Sequence, residues 1–218
     1  ELEGDSKSIA TYINTTAHAP VFSKTSSKYL KNGEVFFEYL MEDLKNAKDY
    51  IFLEFFIIEE GYMFNNILEV LEQKVKEGVD VRILYDDFGC MTKLSRRYYN
   101  KLKAKGIKVQ VFNPIRVLPM PRHNNRDHRK IIVIDGKVAY TGGFNLADEY
   151  MNKIQKFGYW KDTGIRVTGD GVWSFTIMFL SIWELYDDNE LDYDYYFEKT
   201  VPDVSENEGY CQPYTDSP

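Results

Sequence analysis

His128 and Lys130 stand two residues apart in the run "HRKIIVID", and this pair is the strongest chemical signal in the 218-residue chain. Side chains of an extended strand alternate, so His128 and Lys130 share a face, whereas Asp135 has the opposite parity and falls at the turn that follows. A neutral imidazole beside an ammonium is awkward in a core but suited to phosphate chemistry. The ring can attack phosphorus while the ammonium neutralises a non-bridging oxygen as charge builds in the transition state. Shortly after, "GGFN" supplies Gly142 and Gly143, which let backbone amides approach an anion, and Asn145, a side-chain donor. Taken singly, a His near a Lys is an ordinary surface pair; together these residues converge on one phosphate-sized hole.

Hydrophobic periodicity shows which elements must hold them. Phe36, Leu40 and Leu44 recur at helical spacing between Glu34 and Ala47, followed by a buried strand from Tyr50 to Ile58. Ile67, Leu71 and Val75 mark a second helix that Gly78 ends, and Val79, Val81 and Ile83 a second strand. Leu94, Tyr98 and Leu102 give a third helix, Gly106 its stop, and Ile107, Val109 and Val111 a third strand. "RKIIVIDGKVAYTGG" reads as a β-hairpin turning at Asp135-Gly136. Thr163 to Val167 is the last strand, and Gly171 to Tyr186, apolar nearly all round, a buried helix. The expected fold class is α/β, a mixed and mainly parallel sheet flanked by helices on both faces. Residues 1–31 read as an irregular lead-in, 32–187 as a single domain and 188–218 as an acidic connector.

Composition bounds the function. With 44% hydrophobic and 28% charged residues and ordinary Gly and Pro usage, disorder and low complexity are excluded. Eleven of the acids and one lysine fall between Glu184 and Pro218, so of the net charge of -7 the rest of the chain carries +3. Arg116 to Lys137 holds six Lys/Arg, two Asp and two of the three His. That segment suits an anionic substrate or is a solvated basic loop. Its Pro-rich part, "NPIRVLPMPRHNNRD", reads as a substrate-facing loop or a connector. Cys90 and Cys211 imply neither a disulfide framework nor a zinc site, and no metal is expected. No run of eighteen apolar residues exists and no signal peptide is visible, so the piece is expected to be soluble, with an anchor elsewhere left open.

His-x-Lys-x4-Asp-x6-Gly-Gly-x-Asn, read as His128, Lys130, Asp135, Gly142, Gly143 and Asn145, resembles the catalytic motif of the phospholipase D superfamily. With "YIFLEFFI", "VDVRILYDDFG", "GIKVQVFNP", "WKDTGIRVTGDGV" and "QPYTDSP", the chain looks like the first catalytic half of a bacterial cardiolipin synthase. The resemblance implies a phospholipase D-like α-β-α sandwich and a phosphatidyltransferase that joins two phosphatidylglycerols through a phosphohistidine, with no cofactor. His128 would be the nucleophile, Lys130 and Asn145 would hold phosphoryl oxygens, and Gly142-Gly143, where many members have Gly-Ser, would shape the pocket. Asp162 matches the carboxylate that orients the histidine in relatives, a surface role being the alternative. Asp135, by its parity, is expected to brace the hairpin.

Only one copy of a motif the family uses twice is present. His18 and His123 lack the following Lys, so the second half must come from further chain or a twin subunit. The piece alone is expected to be weak or inactive. Implied partners are phosphatidylglycerol, the membrane surface and that second half, with the full-length protein at the cell membrane and no nucleic acid expected. The competing readings are a single-motif phosphodiesterase, nuclease or phospholipase D acting as a homodimer, and a non-catalytic lipid-binding module. Glu54, a carboxylate inside an apolar strand, pairs with Lys130, binds a headgroup hydroxyl or faces water at an edge. Asp86 and Asp87 end the second strand, where cleft residues of parallel sheets gather, and rank behind it.

Overall fold

A computed structural model describes residues 2–115, 125–201 and 209–215. In chain order its elements are α1 (Gly4–Ala17), β1 (Thr25–Leu30), α2 (Gly33–Asn46), β2 (Tyr50–Phe55), α3 (Tyr62–Lys76), β3 (Asp80–Asp86), the short α4 (Asp87–Cys90), α5 (Tyr98–Lys103), β4 (Lys108–Phe112), β5 (Ile131–Ile134), β6 (Val138–Gly142), β7 (Gly164–Gly169), α6 (Val172–Trp183) and α7 (Tyr193–Glu198). The strands form one sheet in the order β1-β7-β6-β5-β2-β3-β4.

β2 explains the layering. All six of its residues are buried, and alternation sends Ile51, Leu53 and Phe55 to one face and Tyr50 and Phe52 to the other. The first face packs on α2, α3 and α5 through Phe36, Leu40, Ile67, Leu71 and Leu102. The second packs on α6, where Phe52 stacks on Phe179 at 4.5 Å between ring centroids. Helix starts are specified locally and at long range. Asn32 caps α2 by accepting from the Val35 N–H at 3.1 Å. Asp148, far along the chain, accepts from the Tyr62 and Met63 N–H groups at 2.9 and 2.7 Å and so caps α3.

The expected α/β sandwich with helices on both faces is the observed one, with four refinements. Five strands run in one direction, but only the β2-β3 and β3-β4 pairings are parallel. The other four are antiparallel, because the β5-β6 hairpin and β7 are inserted beside β2. Residues 1–31 are not an irregular lead-in. Gly4–Ala17 is helical, and Thr25–Leu30 pairs with β7 as an edge strand whose Ser/Thr-rich, largely exposed middle hid its periodicity. The described residues of 188–218 do more than connect. Tyr196 of α7 is buried edge-on against Tyr50, and Cys211 pairs with Phe22 in an isolated bridge. The third helix is also shorter than its periodicity, beginning at Tyr98 with Leu94 in the preceding turn. The 12-residue α6 is buried on most sides, and among the described residues no helix is long and apolar enough to cross a membrane.

Candidate active site

His128 and Lys130 lie in the extended segment that enters β5 at Ile131, one step before the strand where the alternation had placed them. Strict alternation does not survive in what is covered: Asp127 and Lys130, of opposite parity, are both buried and His128 is exposed, although His128 and Lys130 still line one cleft. The His128 ring leans on Phe56 with centroids 4.7 Å apart. The Lys130 ammonium sits 5.6 Å from the centre of the same ring and donates to the His128 carbonyl. Desolvation, then the Lys130 charge, lowers the His128 pKa below its ordinary 6.5, which favours the neutral imidazole at pH 7. Burial also pulls Lys130 down to about 8, against the opposing pull of Asp127 and Asp162.

What fixes this segment is a buried charge network that sequence reading missed. Asp86, fully buried at the end of β3, accepts from the Asp127 N–H at 3.0 Å and from Arg126 at 3.3 Å. It also caps α4 through the Phe88 and Gly89 N–H groups at 2.8 and 3.0 Å. Arg129 Nε stands 2.8 Å from Glu54 and 3.0 Å from Asp127. Glu54 therefore pairs with Arg129, not with Lys130, and it lies on a central strand rather than at a watery edge. Burial and the neighbouring Asp127 carboxylate push its pKa well above the ordinary range, with Arg129 opposing. Parity was the available signal: Asp127 and Arg129 flank His128 and so face inward, toward the acid already noted on β2. Asp87 serves structure, accepting from the Ile115 N–H at 2.7 Å. Of the Pro-rich loop, residues 116–124, including His123, lie outside the described residues.

The remaining motif residues frame the site. Asp135, at φ 53° beside Gly136 at φ 64°, forms the hairpin turn, and its carboxylate accepts from the Lys48, Asp49 and Tyr50 N–H groups at 2.9, 2.7 and 2.9 Å. Gly142 pairs with Gly164 across β6 and β7, and a Cβ on it would come 2.5 Å from the Gly164 Cα. The Gly143 N–H donates to the Thr163 carbonyl at 3.0 Å. That amide is thus committed to the fold, contrary to its expected role toward an anion. Asn145 is buried; its Oδ1 accepts from the Ile57 N–H at 2.9 Å and its Nδ2 donates to the Tyr150 hydroxyl at 2.8 Å. It ties the end of β2 to the loop after β6, where sequence reading saw a phosphate donor.

Asp162 is placed differently from its expected orienting role. It accepts from the Thr163 N–H at 2.8 Å and from Trp160 Nε1 at 3.4 Å, and its carboxylate fills the space a Gly143 Cβ would take. No hydrogen bond joins it to His128 among the described residues. The carboxylates that raise the His128 pKa are Asp127 and Asp86, while Asp162 bears on Lys130. Asp162 precedes β7 by two residues, so strand parity could not predict its direction. His128, Lys130 and Gly142 line an open cleft of about 340 Å³ whose other walls include Ile165, Phe175 and Met178 from β7 and α6, and Tyr214 from the C-terminal segment.

This sheet, bearing a cleft-facing His two residues before a buried Lys, defines a phospholipase D-like fold. Nuc from Salmonella typhimurium, a phospholipase D family member, is similar at TM-score 0.57 and 19% identity over 77% of this chain and 99% of its own. Phosphatidylserine synthase of Haemophilus influenzae is similar at TM-score 0.57 and 16% identity, over 94% of this chain and 49% of its own. Residues 40–157 match the family described as cardiolipin synthase, PLD-like domain, and the chain belongs to that family. An uncharacterized protein of Streptococcus mutans is 46% identical over 212 residues, 96% of this chain and 45% of that protein. Cardiolipin synthases of Oceanobacillus iheyensis and Staphylococcus aureus are 40% and 39% identical over 78% and 82% of this chain. The chain spans only 35% and 36% of those two enzymes.

Proposed function

We propose that the chain is one catalytic half of a phosphatidyltransferase that makes cardiolipin from two phosphatidylglycerols. The observation that carries this reading is a neutral, exposed imidazole lining the cleft beside a buried ammonium; the similarity to cardiolipin synthases gives the substrate class. The His128 lone pair attacks phosphorus of the first lipid, a P–N bond forms, and the P–O bond to glycerol breaks. A second histidine, from further chain or a twin subunit, protonates the leaving alkoxide. That same group then takes the proton from the terminal hydroxyl of the second lipid, whose oxygen displaces His128 and restores a phosphodiester. Lys130 neutralises the equatorial oxygens, with Asp162 keeping its charge in place and Asn145 offering its remaining amide proton. Phosphodiester is exchanged for phosphodiester, so the reaction needs no ATP. The full protein would work at the cell membrane.

A second reading has its own support. The Nuc chain is covered over 99% of its length, so a whole phospholipase D-like chain can be this small. Under that reading the chain is a single-motif phosphodiesterase that pairs with a copy of itself. Full-length protein incubated with phosphatidylglycerol labelled on phosphorus and quenched in denaturant should retain label on His128 and release glycerol. His128→Ala should abolish both. Normal cardiolipin synthesis by His128→Ala would overturn the proposal.

A further inference from the structure

The loop from Asn152 to Lys161 has the chemistry of a surface that meets lipid. Its neck is pinned: the Trp160 N–H donates to Asn152 Oδ1 at 2.6 Å, and Asn152 Nδ2 donates back to the Trp160 carbonyl at 3.0 Å. Trp160 also packs on Tyr150, 4.9 Å between ring centroids, and Tyr159 takes a hydrogen bond from Asn32. Compact loops closed at the neck in this way present a fixed tip. That tip leaves Ile154, Phe157 and Tyr159 at 47%, 72% and 60% exposure, an arrangement water disfavours. Between Asn152 and Lys161 there are three lysines and no acid, although the whole chain carries -7.

Location supports the same conclusion. The loop runs directly into Asp162, whose carboxylate sits over Gly143, the chain neighbour of Gly142 in the cleft that His128 lines. Phe88 and Met91, each 55% exposed, project after β3 at the same end of the sheet. Aromatic and aliphatic side chains interleaved with lysines suit the headgroup boundary, where rings insert and ammonium groups meet anionic lipid. Two of the lysines are partly committed at home: Lys156 is 3.9 Å from Glu149, and Lys161 donates to the Lys31 carbonyl. Lys153 sits 4.2 Å from the centre of the Tyr62 ring.

We infer that the 152–161 loop docks the catalytic cleft onto an anionic bilayer, Phe157 and Tyr159 inserting and the lysines contacting lipid phosphates. The inference rests on the lipid reading of the site, but it is a binding property with its own readout. The 218-residue chain is floated with vesicles of pure phosphatidylcholine or of phosphatidylcholine containing phosphatidylglycerol, at low and high salt, with the far-ultraviolet spectrum of each variant as a folding control. The wild type should float with anionic vesicles and detach as salt rises. Phe157→Ser with Tyr159→Ser should weaken partition about tenfold. Lys153→Ala should weaken it about fivefold on anionic vesicles only.

Equal flotation of folded variants and wild type would overturn the inference. So would failure of the wild type to bind anionic vesicles, or loop variants that turn a dimer into a monomer, which would make the loop a protein–protein surface. Failure to trap label on His128 would leave a positive flotation result standing, and the reverse also holds.

Discussion

Replacing Lys130 by Met should make the protein more stable while destroying its chemistry. Lys130 is 6% exposed, and its ammonium lies beside the Phe56 ring. It also borders a cavity of about 10 Å³ lined by Phe36, Phe55, Ile132 and Phe144, so little there replaces water. Its pKa falls from 10.5 to about 8. At 1.36 kcal/mol per unit, the folded state bears about 3 kcal/mol for keeping this charge at neutral pH. Losing the hydrogen bond to the His128 carbonyl returns ~1 kcal/mol, which leaves Lys130→Met more stable by about 2 kcal/mol. The sign with pH is fixed. Below pH 8 both folded and unfolded lysine are charged and the penalty is complete. Between 8 and 10.5 the unfolded chain holds the extra proton, so wild-type stability rises with pH toward that of the variant. Urea unfolding of both proteins at pH 7, 9 and 10.5 reads this difference, and subtraction cancels the tyrosines that titrate in the same range. A variant less stable than wild type at pH 7, or a difference that stays flat to pH 10.5, would refute the reasoning.

Two further substitutions test the frame. Asp135→Ala leaves three backbone N–H groups without their acceptor and places Ala at φ 53°, so it should cost about 3 to 5 kcal/mol in urea unfolding; a loss below ~1 kcal/mol would remove Asp135 as the brace. Gly142→Ala drives a Cβ to 2.5 Å from both the Gly164 Cα and the Thr163 carbonyl oxygen, so β6 and β7 must part. A loss of about 2 to 3 kcal/mol is expected by the same measurement, and an unchanged midpoint would show that the strands yield freely.

The sequence disclosed most where physics is local. The unbroken apolar run through Tyr50–Phe55 announced a buried strand, and Asp135-Gly136 announced the hairpin because a type I′ turn needs positive φ at both central positions. The edge strand at Thr25–Leu30 was hidden because only its ends, Thr25 and Leu30, are buried. The network of Glu54, Asp86, Asp127, Arg126 and Arg129 joins three segments distant in sequence, so no spacing rule contains it. Parity offered a signal for Asp127 that the sequence reading left unused, and only tertiary packing shows what that carboxylate meets. Asp162 lies outside a strand, held by Trp160 and Thr163, and there alternation is silent.

The motif letters therefore divide by physical task. His128 alone combines exposure, a cleft and a lowered pKa, and Lys130 alone presents a buried charge next to it. Asp135, Gly142, Gly143 and Asn145 commit polar groups or close contacts to the backbone of other elements, so their first effect is on where His128 and Lys130 stand. Inactivity in a variant at one of these four positions cannot by itself assign a chemical step. A group that touches the reacting phosphate changes turnover at unaltered unfolding free energy. A framing group changes both, by an amount that follows from the hydrogen bonds it held. Asn145 is the informative case: its Oδ1 braces Ile57, while one Nδ2 proton is left after Tyr150 is served. Asn145→Asp keeps the acceptor and removes the donor, so it separates the two duties within one side chain.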